Sequence, residues 1–142
     1  MTITANRYHD ISCGHRVHQH ESKCAHLHGH NYRVHFEVQA PELDKIGRVM
    51  DFSVIKEKLC MWLEDEWDHK FLVWENDPMH SYLKDLDSTV VVTPFNPTAE
   101  NMAQYLVEII GPRQLVSTGV ILTKVSIEET RKCSASYILE VK

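Results

Sequence analysis

No run of apolar residues in this chain of 142 approaches the roughly 18 that a membrane-spanning helix needs. The opening stretch MTITANRYHD does not read as a signal peptide. The expectation is a cytoplasmic protein with no membrane partner. Basic residues form no cluster and the formal net charge is -5, so nucleic acid is not an expected partner either. The four cysteines, at 13, 24, 60 and 133, show no close pairing, which in a reducing compartment points to thiols rather than disulfides. Internal repeats and linkers are also lacking. With 43% hydrophobic and 25% charged residues, positions 1–142 read as one domain long enough to bury a core.

The chain is rich instead in histidine, ten in all, and three of them stand with a cysteine in Cys24-Ala25-His26-Leu27-His28-Gly29-His30. Directly after, Tyr32, Val34, Phe36 and Val38 alternate with polar residues at the period of a half-buried strand. Continued backwards, that alternation puts His28 and His30 on the apolar side, where imidazoles at i and i+2 can share one metal ion. His26 has the same parity and is not excluded by it. A third ligand is expected from the N-terminal strand, where His15 ends a run of shared parity with Ile3, Ala5, Ile11 and Cys13. Three neutral imidazoles with an open position make a catalytic zinc arrangement, whereas a fourth ligand from Cys24 would make a closed structural site. Ordinary surface histidines are the remaining reading.

The sequence predicts strands over 2–13 and 31–40, with the histidine-rich loop between them and a turn at Pro41 to Gly47. Asp51 is a good N-cap for an amphipathic helix over 52–66, with Phe52, Ile55, Leu59, Trp62 and Leu63 as its stripe. Residues 74–97 are hard to read, with a helical turn near Ser81 to Leu86 and a short extended piece at Val90 to Val92. Thr98 caps a second helix with Met102, Tyr105, Leu106, Ile109 and Ile110 buried, and Gly111-Pro112 should stop it. A third strand over 119–129, with Ile121, Val125 and Ile127 on one parity, and a fourth over Ser134 to Val141 complete the order ββααββ. That order implies the α+β class: a four-stranded antiparallel sheet with both helices on one face.

Two further groupings carry chemistry. Asp68-His69 places a carboxylate beside an imidazole just beyond the first helix, either to tune the histidine as a proton carrier or merely to cap the helix. Glu129 shares the parity of Val125 and Ile127 and should point inward, so it needs a cationic or hydrogen-bond-donating partner, while Glu128 should point outward.

These motifs resemble a known family. Ile11-Ser12-Cys13-Gly14-His15-Arg16, Cys24-x-x-x-His28-Gly29-His30, Gly47-Arg48-Val49-Met50-Asp51-Phe52, Trp67-Asp68-His69, Asn96-Pro97-Thr98-Ala99-Glu100-Asn101 and Glu129-Thr130 stand in the order found in the 6-pyruvoyl-tetrahydropterin synthase family. The three-residue spacer after Cys24 is similar to that of its bacterial branch, the 6-carboxy-5,6,7,8-tetrahydropterin synthases of queuosine biosynthesis. Ile11 and Cys13 depart from the usual Phe and Ala, and 74–95 is longer than in short members. The resemblance implies a tunnelling fold in which trimers form a barrel and stack as a homohexamer with sites between subunits. It also implies Zn2+ on His15, His28 and His30, Cys24 as the base assisted by Asp68 and His69, and Glu129 anchoring the pterin. The implied lyase converts 7,8-dihydroneopterin triphosphate to 6-carboxy-5,6,7,8-tetrahydropterin, releasing acetaldehyde and triphosphate. Lys23, Arg16, Arg131 and Lys132 are candidates for meeting the phosphates. The alternatives are triphosphate elimination to 6-pyruvoyl-tetrahydropterin, or a non-catalytic zinc-binding module closed by Cys24.

Overall fold

The computed structural model describes residues 2–140. Its strands are β1 (Ala5–His15), β2 (His28–Gln39), β3 (Phe71–Trp74), β4 (Val91–Thr93), β5 (Ile121–Glu128) and β6 (Ser134–Ile138). β1 and β2 pair antiparallel, from Ala5 opposite Val38 to His15 opposite His28. Alternation then decides burial: Ile11, Cys13, His15, Tyr32, Val34 and Phe36 face the core, while Tyr8, Asp10, Ser12, Asn31 and Arg33 lie on the open face. β1 begins later than predicted, leaving Ile3 exposed, and β2 starts earlier, so His28 and His30 belong to the strand itself. Val141, the predicted end of the last strand, lies outside the described residues.

The expected four-stranded antiparallel sheet, β1-β2-β5-β6, is present but is only part of a larger one. Among the described residues the sheet has six strands in the order β4-β3-β1-β2-β5-β6, with β3 and β4 added parallel beyond β1. The sequence hides these two because they are four and three residues long and pair with distant segments. A β-bulge also breaks the predicted parity of β5. Glu37 faces Lys124 but Val38 faces Leu122, so Thr123 is unpaired and Ile121 turns outward, exposed. Val125 and Ile127 lie beyond the bulge and stay inside, and Glu129 inherits their parity.

Helix α1 covers 52–66, capped by Asp51, whose carboxylate accepts the Ser53 N–H at 2.8 Å. Mid-helix, the Met61 N–H reaches back five residues to the Lys56 carbonyl in a π-turn, which brings Leu59 and Cys60 together into the core. Phe52, predicted on the stripe, is exposed. Helix α2 is His80–Leu86. Helix α3 covers 99–114, with the Thr98 hydroxyl accepting the Asn101 N–H at 3.1 Å. Gly111-Pro112 does not end it. A second π-turn sends the Gly111 N–H to the Leu106 carbonyl, and Pro112 falls at the start of the last turn, where no N–H is required. Glycine is needed at 111 because a Cβ would stand 2.9 Å from Leu122. Ile109, expected in the stripe, is exposed, and Val107 and Ala103 are buried instead.

α1 and α3 cover one face of the sheet, as the α+β reading expects, and enclose the main core with Tyr32, Phe36, Trp67 and Leu72. Val73 points the opposite way from Leu72 and joins Leu83 of α2 and Val90 in a small second core. Among the described residues no helix is long and apolar enough to cross a membrane.

Candidate metal centre and active site

The β1–β2 register builds the centre. His15 lies directly opposite His28, and His30 follows two positions along on the same face, so three rings converge at one end of the core. One ligand nitrogen from each lies within 4.8 Å of the others, and His15 Nε2 stands 3.0 Å from His28 Nε2. The His15 Nδ1–H donates to the Pro97 carbonyl at 2.7 Å and the His28 Nδ1–H to the His26 carbonyl at 2.8 Å. A carbonyl only accepts, so in the neutral rings Nε2 carries the lone pair, and both lone pairs point into the cluster. Among the described residues His30 Nε2 is buried without a hydrogen-bond partner; Glu129 Oε1 is 3.2 Å away but outside hydrogen-bond geometry. Facing lone pairs repel unless a cation lies between them, and nitrogens around a tetrahedral ion stand about 3.3 Å apart. The donor set therefore fits a metal ion.

Burial reinforces this. It drives the His15 pKa down to about 4 against the opposing pull of the Pro97 carbonyl, with the neighbouring His28 and His30 lowering it further. Burial likewise lowers His30, against the raising effect of Glu129. Neutral imidazole is the form that binds metal. The Tyr32 hydroxyl, 3.2 Å from His15 Nδ1, is buried and its pKa is raised by that burial, so it stays protonated.

Cys24 sits in a 3-10 turn, Lys23–Ala25, whose fold is pinned by the Val17 N–H donating to the Cys24 carbonyl at 2.9 Å. Its thiol is free and half-buried and does not belong to the ligand cluster. His26 lies on the exposed loop and contributes its carbonyl, not its ring.

Asp68 and His69 do bond each other, His69 Nδ1 to Asp68 Oδ2 at 2.8 Å. They dock on the edge of β1, where Asp68 Oδ1 accepts the Ser12 N–H at 2.9 Å and the His69 N–H reaches the Ser12 carbonyl at 2.6 Å. His69 takes φ +60, a left-handed conformation imposed by this docking. Burial raises the Asp68 carboxyl pKa, but the hydrogen bonds from Ser12 and His69 outweigh it and the net shift is downward. Together with Asn31, Arg33, Glu128 and Arg131 the pair lines a cleft of about 600 Å³ on the open side of the sheet. The His69 side chain is 81% exposed. One chain thus gathers His15, His28, His30 and Glu129, but joins neither the Cys24 thiol nor Asp68–His69 to their cluster.

Glu128 pairs with His35, both side chains half-exposed, while Glu129 is the less exposed of the two glutamates, at 24%. Sequence reading missed the Pro97 carbonyl, Tyr32 and the buried Asp77, which receives the Arg16 Nε–H at 2.8 Å. Only the Asn96-Pro97-Thr98 motif carried any signal for the first of these.

Three imidazoles that converge at the strand ends, with no thiol among them, could hold a metal ion. The chain belongs to the 6-pyruvoyl tetrahydropterin synthase family, whose sequence profile matches residues 4–140. It is an enzyme of pterin synthesis, a lyase. It is 32% identical over 133 residues to the 6-carboxy-5,6,7,8-tetrahydropterin synthase of Rickettsia conorii, covering 92% of this chain and 96% of that one. Against the enzyme of the same name from Aquifex aeolicus it is 34% identical over 125 residues, covering 82% and 76%. Among solved structures, an uncharacterized protein from Wolinella succinogenes superposes with a TM-score of 0.85 at 24% identity, covering 99% of both chains. The 6-pyruvoyl tetrahydropterin synthase of Caenorhabditis elegans does so at 0.71 and 26% identity, covering 99% and 97%.

Proposed function

We propose that this chain is a zinc-dependent cytoplasmic enzyme of the queuosine precursor route. With uptake of a water molecule it converts 7,8-dihydroneopterin triphosphate to 6-carboxy-5,6,7,8-tetrahydropterin and releases acetaldehyde and triphosphate. The observation that carries this reading is the separation of roles: three imidazoles converge without a thiol, leaving Cys24 free for chemistry. The Rickettsia and Aquifex relatives, which bear the name of that activity, support the product assignment.

Zinc held by His15, His28 and His30 would supply a Lewis acid for the hydroxylated side chain of the substrate. Cys24 acts as the base that removes a side-chain proton. Asp68 orients His69 through their 2.8 Å bond, so that His69 relays the proton. The pair lies on the open face of the sheet, so a neighbouring copy brings it to Cys24, in a hexamer built of two trimers with sites between subunits. Glu129, next to His30, accepts the side-by-side amino and ring N–H donors of the pterin.

The test is incubation of the purified protein with 7,8-dihydroneopterin triphosphate, followed by mass spectrometry. Acetaldehyde and the 6-carboxy product are expected. A 6-pyruvoyl product without acetaldehyde would transfer the chain to the other activity, which the likeness to the Caenorhabditis elegans protein favours.

A further inference from the structure

The Asn96-Pro97-Thr98-Ala99-Glu100-Asn101 motif takes no part in the chemistry proposed above, yet the structure wraps it around the metal centre. The Asn96 side chain binds both backbone groups of His18: its Oδ1 accepts the His18 N–H at 3.1 Å and its Nδ2–H donates to the His18 carbonyl at 3.0 Å. Its own carbonyl is held from the other side, by the Asn101 Nδ2–H at 2.9 Å and the Thr98 N–H at 2.7 Å. The next carbonyl in the chain, that of Pro97, receives the His15 Nδ1–H at 2.7 Å.

We infer that Asn96, braced by Asn101, is a positioning residue for the metal centre: it fixes the Pro97 carbonyl against His15 and so sets the tautomer and orientation of that ring. The inference rests on His15, His28 and His30 holding a metal. Pro97 does not reach His15 by β-pairing, because 94–98 belongs to no strand. Asn96 does the work of a strand partner by bridging that loop to His18, three residues beyond His15. On the far side Asn101, in the first turn of α3, ties the loop to the helix packed on the core. The carbonyl is thereby fixed from two directions. His28 has no such need, since its acceptor, the His26 carbonyl, comes from two residues back in its own chain segment. The arrangement makes one histidine depend on the bracket and leaves the other as an internal reference.

Zinc affinity by competition with a chromophoric chelator, the visible spectrum of the cobalt-loaded protein, and imidazole nitrogen shifts of the metal-free protein above neutral pH test this. In Asn96→Ala and Asn101→Ala the zinc Kd should rise about 10- to 100-fold, the cobalt bands should move, and His15 should change from Nδ1–H to a tautomer mixture while His28 stays Nδ1–H. Asn96→Asp keeps the acceptor for the His18 N–H and should show a smaller loss; it serves if the alanine variant does not fold. Gln114→Ala removes a 2.8 Å bond from α3 to the Lys58 carbonyl and should lower Tm with no change in Kd or spectrum. Wild-type zinc affinity and an unaltered cobalt spectrum in the folded Asn96 and Asn101 variants overturn the inference. A wild-type protein that takes up no zinc overturns the metal reading and the inference with it.

Discussion

His15 and His28 face each other across the β1–β2 ladder with their Nε2 atoms 3.0 Å apart, each ring held from behind by a backbone carbonyl. Both rings are thus oriented before any ion arrives. The protein should bind one zinc per chain, and replacing His15, His28 or His30 by Ala should sharply reduce it. His18, His20 and His35 lie outside the cluster, and their replacement should not change the zinc content. Elemental analysis of dialysed protein decides this; a His28→Ala His30→Ala double variant that keeps stoichiometric zinc would refute the ligand set.

Cys24 should be needed for turnover and not for metal. Cys24→Ala is expected to retain its zinc and to lose about 100-fold or more in kcat, the scale of a missing general base. Parallel loss of zinc would instead make the thiol a ligand. Cys13 and Cys60 are buried apolar-side residues, and burial pushes the Cys13 thiol up to about 12, so neither should act as a nucleophile or base.

The two adjacent glutamates should behave oppositely. Glu129→Gln swaps one acceptor for a donor facing the pterin donors, a mismatch worth roughly 1 to 3 kcal/mol, so pterin affinity should fall by about 5- to 150-fold. Glu128 pairs with His35 on the half-exposed outer face, where such pairs contribute about 0–1 kcal/mol, and Glu128→Gln should leave affinity unchanged. Calorimetric titration of both zinc-loaded variants checks this, and a larger loss at 128 would mean the anchor is assigned one residue off.

Metal-free protein should weaken in mild acid. His15 titrates near 6.5 when unfolded and about 4 when folded, so between those values the unfolded chain binds the extra proton and stability falls as pH drops. Fully developed, that shift costs roughly 3 kcal/mol, a large fraction of a domain's stability. Urea unfolding in the presence of a chelator from neutrality to pH 4 should show the decline, and His15→Gln should lessen it while the share from His30, which burial also lowers, remains. An unchanged slope in that variant would remove His15 as its source.

The sequence by itself determined what depends on neighbours along the chain. Period-2 alternation placed His28 and His30 on the Tyr32 and Val34 face, because side chains two apart on a strand share a side, and it sent Glu129 inward and Glu128 outward. Asp51 and Thr98 announced their helices because capping is a bond to an N–H two or three residues away. Tertiary structure alone decided the rest. Phe71–Trp74 becomes a parallel strand only because β1 offers an edge, Val91–Thr93 because β3 then offers the next, and a bulge at Thr123 turns Ile121 outward because β5 must stay in register with β2. α3 runs through Gly111-Pro112 because a π-turn shifts its hydrogen bonds and Leu122 requires close approach. Asp68 meets Ser12, and the Pro97 carbonyl meets His15, across 56 and 82 residues of chain. No local pattern encodes a contact made at that separation; it exists only once the strands have paired and the helices have packed against them.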